Sequence, residues 1–148
     1  MKKDQKIITK TALYKAISAI NLVEASLEYI KPYKINQYYT PREREPYDAL
    51  CDRFIRAIEI SLKYFRSYEK LMYGENSETI RDLLNRMEKL EIISSVILWM
   101  QMRDVRNRIV HDYLPEEIRD MYDEIMGIFG NELLQLKRKL VTNKIDDF

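Results

Sequence analysis

Turn-forming residues are scarce in this chain: three glycines and four prolines serve 148 residues. That is too few for a many-stranded β architecture, and three glycines cannot build a Gly-rich phosphate loop. A single cysteine, Cys51, leaves no intramolecular disulfide, so a reducing, cytoplasmic setting is expected. Histidine is just as rare. His111 stands alone, which excludes a multi-His metal site within one chain and leaves one ordinary proton shuttle near neutral pH. No run approaches the roughly eighteen consecutive apolar residues of a membrane span. The opening MKKDQKIITK lacks the apolar core of a secretory signal. Net charge is also missing: 25 basic residues face 24 acidic ones. A strongly polyanion-seeking surface is therefore not expected, although local basic patches remain open.

What the chain does have is helical period. Apolar residues make up 46% and charged residues 33%, a composition that folds. A chain of this length buries roughly 70% of its unfolded surface, enough for one domain spanning 1–148. Leu13, Ile17, Ile20, Val23 or Leu27, and Ile30 recur three or four apart and predict a first helix over Thr9–Ile30, stopped by Lys31-Pro32. Residues 32–47 hold three prolines and four tyrosines without a clean period, and are expected to form a long connection. Pro46 and Asp48 suit the first turn of a second helix whose buried side is Phe54, Ile58, Leu62, Phe65 and Met72, ended by Gly74. Asn76 or Ser77 would cap a third helix carrying Ile80, Leu84 and Met87. A fourth runs from about Ile92 or Ser95 to His111. Pro115 opens a fifth, with Glu116 and Glu117 at the positive end of its dipole and Leu114 as a poor cap. Its stripe continues to Leu136, and residues 141–148 are expected to fray. The expected architecture is all-α, an up-and-down bundle of four to five helices.

The segment from Arg103 to Tyr113 carries the chemistry. At about 100° per residue, Leu98, Met102, Val105 and Ile109 share a narrow arc and should face the core. Arg106, Val110, Arg103, Asn107 and His111 follow round the adjoining side over roughly 140°. Asn107 and His111 are four apart and share a face.

Arg106-Asn107-x-x-x-His111 resembles the signature of the HEPN domain (higher eukaryote and prokaryote nucleotide-binding). The longer RNRIVHDY, with Tyr113 two residues past the histidine, resembles the HepT-type toxin branch of that superfamily. The specific likeness covers about Trp99 to Tyr122. It implies an all-helical, generally dimeric protein and a metal-independent ribonuclease, needing no cofactor. It also implies a minimal nucleotidyltransferase that neutralises the toxin, with Tyr113 at the position that accepts adenylylation. RNA cleavage without a metal needs a base for the 2′-hydroxyl, an acid for the leaving 5′-oxygen and positive charge on the phosphate. Arg106 would hold the phosphate and His111 would move protons, while Asn107 orients and Tyr113 lines the groove. One histidine per chain favours a homodimer that supplies two.

Other readings compete. The set also suits a non-catalytic module that docks a nucleotidyltransferase or binds a nucleotide, and a helical adaptor carrying the motif by accident is a third. His111 would simply cap helix-end carbonyls if the motif were accidental. Arg108 reads as a solvated face, and Asp104 and Asp112 as ion-pair partners of Arg108 or Arg103 rather than metal ligands. Trp99, Met100 and Met102 read as core or interface, and Cys51 as structural. Tyr33, Tyr38, Tyr39 and Tyr47 beside Arg42 and Arg44 would stack bases if the connection bound RNA. Packing along the bundle with wet hydroxyls is the favoured reading there.

Overall fold

Capping chemistry sets where the helices begin and end. In a computed structural model describing residues 2–111 and 114–142, α1 runs Lys2–Leu27, α2 Pro41–Tyr73, α3 Ile80–Lys89, α4 Val96–His111, α5 Pro115–Glu124 and α6 Gly130–Thr142. A π-helical segment, Ile125–Phe129, joins the last two, so the expected fifth helix is present but broken. The described residues contain no strand, and the fold is an all-α bundle.

The long connection is shorter than expected. Thr40 accepts a hydrogen bond from the Glu43 amide while the Glu43 carboxylate accepts from the Thr40 amide, a capping box with Pro41 in the first turn. The second helix therefore starts at Pro41, and Pro46 lies inside it rather than opening it. Its missing N–H falls close to the helix start, where the exposed Arg42 carbonyl can turn to water. Gly74 ends the helix as expected, at φ 72° with its amide bonded to the Lys70 carbonyl. Thr79, rather than Asn76 or Ser77, caps α3. The first helix begins seven residues early and stops at Leu27, leaving Ile30 half-buried beyond it. Met72 and Ile109, expected inside, are exposed. Val141 and Thr142, expected to fray, lie in α6; residues 143–148 fall outside the described residues.

The core joins Leu13, Ile20 and Val23 of α1 to Leu50, Phe54, Tyr64 and Phe65 of α2, with Trp99, Met102, Leu133 and Leu136 closing it. Phe65 meets Trp99 edge-on at 5.2 Å, and Phe54 stacks on Phe129 at 5.9 Å. Two buried carboxylates brace the frame. Glu69 accepts from the Ser77 amide at 2.8 Å, from the Ser77 hydroxyl and from Arg86 at 3.1 Å, fastening the turn between α2 and α3. Glu132 accepts from the Ser94 amide at 3.0 Å, the Ser94 hydroxyl at 2.7 Å and Trp99 Nε1 at 2.8 Å. That second hub fixes where α4 starts, and so where the Arg–His segment points.

Candidate functional site

Helix α4 is held firmly at its first turn. Besides the Glu132 hub, the Val96 amide donates to Glu88 at 2.7 Å and the Leu98 amide to Ser95 Oγ at 3.2 Å. Val96, Trp99, Met102 and Val105 are buried along its inner face. Past Val105 the helix emerges from the core. Ile109, Val110 and His111 are exposed. Leu98 is half-buried, so only Met102 and Val105 of the four expected inward residues are fully enclosed.

Arg106 and Asn107 are brought together in one groove. It holds about 350 Å³ and is lined by Glu59 of α2 and by Met100, Arg103, Asp104, Arg106 and Asn107 of α4. Arg106 Nη1 lies 2.6 Å from Glu59 Oε1, with the two side chains 66% and 46% exposed. Asn107 Nδ2 donates to Asp104 Oδ1 at 3.0 Å. His111 does not line this groove; it stands exposed at the end of the helix. Five residues of helical rise put it roughly 7.5 Å along the axis from Arg106. Tyr113 and Asp112 lie outside the described residues.

Two neighbouring expectations, for Arg108 and Asp104, need correcting. Arg108 is no solvated face: it is half-buried and pairs with Glu124, tying α4 to α5. Asp104 serves Asn107. Trp99 and Met102 belong to the core, whereas Met100 reaches the groove. Cys51 is buried, and burial with the nearby Asp48 and Asp52 carboxylates pushes its thiol up to about 12, far from thiolate reactivity at neutral pH.

The tyrosines of the connection pack rather than wait for bases. Tyr33 stacks on Tyr39 at 4.9 Å, and Tyr47 meets both edge-on at 5.4 and 5.5 Å. Tyr122 of α5 completes the cluster, 5.3 Å from Tyr47. The hydroxyls are not simply wet: Tyr47 donates to the Lys31 carbonyl at 2.8 Å, and Tyr39 accepts from the Lys34 amide at 3.0 Å. Burial, then the bond with Tyr39, raises the Tyr47 phenol to about 12. Only Tyr38 points away, 82% exposed.

The groove residue that sequence reasoning missed is Glu59. It sits 47 positions from Arg106 on a solvent stripe with Asp52, Arg56 and Lys63, and no local pattern marks it. Among the described residues no group of three or more His, Cys, Asp or Glu is placed to hold a metal. No described helix is long and apolar enough to cross a membrane.

The fold places the chain among the all-α helical bundles. Within that class the chain belongs to the family described as nucleotidyltransferase substrate binding protein like, which matches residues 11–142 and so takes in the whole of α4. No curated protein and no solved structure matches it significantly.

Proposed function

We propose that this protein is a HEPN-type, metal-independent endoribonuclease, the HepT-like toxin partner of a minimal nucleotidyltransferase, acting in the cytoplasm as a homodimer. The observation that carries the reading is the deployment of α4. Its inner face is spent on the core, while Arg106 and Asn107 line a groove and His111 stands exposed beyond it at the end of the same helix. The family match supports the nucleotidyltransferase connection.

In the proposed reaction a base takes the proton of the RNA 2′-hydroxyl, and the 2′-oxygen attacks phosphorus. The bond from phosphorus to the 5′-oxygen breaks, and that oxygen accepts a proton. The products are a 2′,3′-cyclic phosphate and a 5′-hydroxyl. Arg106 neutralises the phosphate through its bidentate fork. Base and acid are two jobs, so His111 from each of two copies would share them around one composite groove. Ile109, Val110 and Leu114, exposed at that end of α4 and the start of α5, supply apolar surface for the pairing. Tyr113, by its position after the histidine, would be the acceptor of silencing adenylylation.

RNA turnover by wild type, His111→Ala and Arg106→Lys in excess EDTA tests this. Activity should survive chelation. Loss of the imidazole should cost about a hundred- to ten-thousand-fold, and lysine should replace Arg106 poorly because an ammonium lacks the fork. Tyr113→Phe should stay active in the presence of the nucleotidyltransferase and ATP. Equal turnover by wild type and His111→Ala would leave the second reading, a non-catalytic module that docks the nucleotidyltransferase or binds a nucleotide. The family's description as substrate binding favours that alternative over an accidental motif.

A further inference from the structure

Arg106, the proposed phosphate ligand, is already occupied. Its Nη1 is 2.6 Å from Glu59 Oε1, a close charge-assisted hydrogen bond. The groove as a whole is balanced in the same way: Arg103 and Arg106 face Glu59 and Asp104, and Asp104 also engages the Asn107 amide. A carboxylate and a phosphodiester present the same chemistry to a guanidinium, two anionic oxygens at matching spacing. A phosphate that grips Arg106 through Nη1 as well as its remaining donors must take that nitrogen from Glu59.

We infer that Glu59 is an internal competitor for the phosphodiester, holding the Arg106 seat until a single-stranded RNA backbone displaces it. The inference rests on the reading of Arg106 as a phosphate ligand and adds the residue that regulates it. The pair is not needed to join its helices. Phe65 of α2 packs on Trp99 of α4 in the core, while the ion pair is half in water. Exposed pairs are weak and screened, so Glu59 acts as a brake of a few fold and not as a lock. The brake has a sign that a supporting role lacks. A carboxylate that merely oriented Arg106 would aid binding, and its removal would weaken the complex; a competitor's removal tightens it.

The test uses the full chain and a fluorescein-labelled, non-cleavable 2′-O-methyl RNA single strand of mixed sequence, with affinity read by anisotropy across a salt series. Glu59→Gln should bind about two- to fivefold tighter than wild type, the range an exposed pair allows. Glu78→Gln removes an equal charge from an exposed site on the turn before α3 and should change nothing. Arg106→Ala should weaken binding and flatten the log–log salt slope by about 0.7, one phosphate contact on a single strand. In the double variant Glu59→Gln/Arg106→Ala the tightening should vanish. Binding by Glu59→Gln equal to or weaker than wild type overturns the inference, as does tightening that persists without Arg106. An Arg106→Ala protein that binds like wild type overturns the phosphate-ligand reading itself, and absence of binding by every variant overturns both. Unchanged Trp99 fluorescence verifies that each variant is folded.

Discussion

Glu132 offers two substitutions that differ by one polar group and should differ several-fold in cost. The carboxylate is buried, and its Oε2 accepts from both the Ser94 amide and Trp99 Nε1 while Oε1 accepts from the Ser94 hydroxyl. In Glu132→Gln the carbonyl oxygen can take the Oε2 position and keep both N–H donors. The amide nitrogen then faces a hydroxyl, which can accept as readily as donate. Only charge assistance is lost, about 1 kcal/mol. Glu132→Ala strands the buried Trp99 Nε1–H at about 1–3 kcal/mol, leaves the amide of the exposed Ser94 to water and opens a void beside the indole, for a total near 3 kcal/mol. Trp99 is the only tryptophan, so denaturant unfolding followed by its fluorescence reads the hub directly. The midpoint should fall slightly for Gln and steeply for Ala, with an unchanged slope. Equal losses for the two variants, or an Ala variant within 1 kcal/mol of wild type, would refute the assignment of Glu132 as the anchor of α4.

Gly130→Ala should destabilise by about 1–3 kcal/mol, because a Cβ there would lie 2.6 Å from the Ile125 carbonyl oxygen and 3.1 Å from Leu27 Cδ1. Thermal unfolding reads it, and a neutral result would mean that the π segment relaxes freely. Stability should fall at high pH. Burial raises Cys51 from 9.0 to about 12 and Tyr47 from 10.0 to about 12, and raises Tyr122 further. The folded state keeps protons that the unfolded chain releases, so this contribution is complete below pH 9 and drains away between about 9 and 12. The sign follows from proton linkage, because stability falls with pH wherever the folded state binds more protons than the unfolded chain. A flat stability profile from pH 8 to 11 would contradict it.

How much of this could be read beforehand differs by residue. Apolar spacing marked the buried sides of α1, α2 and the chain's last third, since core packing follows helical period directly. Gly74 and Pro115 act locally and were legible for that reason. Thr40-x-x-Glu43 was equally legible as a capping box, but Pro46 drew the helix start five residues too late. The break at Gly127, with φ and ψ of −107°, was not legible, and neither was the close fit of Gly130 against the Ile125 carbonyl and Leu27, which only the folded chain brings together. Of the site, α4 carried Arg106, Asn107 and His111 in its own sequence. Glu59, Glu132 and Glu124 reach it from 47, 33 and 16 positions away, and a lone carboxylate on a helix gives no sign of the helix it will meet.

The exposed end of α4 decides whether the proposed composite site can exist. Val110 is 65% exposed, Leu114 58% and Ile109 39%, all beside His111. In a two-fold pairing each residue is used twice, so one substitution perturbs the interface at two places. Val110→Asp would replace two buried apolar contacts with two carboxylates near the axis. Losing the apolar burial alone is worth about 3 kcal/mol, a roughly hundredfold weaker dimer. The monomer should fold as before, because so exposed a side chain adds little to the core. Light scattering at micromolar concentration should therefore find a wild-type dimer and a Val110→Asp monomer with the same helical signal. RNA turnover should fall with dissociation, since one His111 cannot serve both proton transfers. A wild-type monomer that cleaves RNA would remove the two-histidine scheme, and a Val110→Asp dimer with full activity would place the pairing surface elsewhere on the bundle.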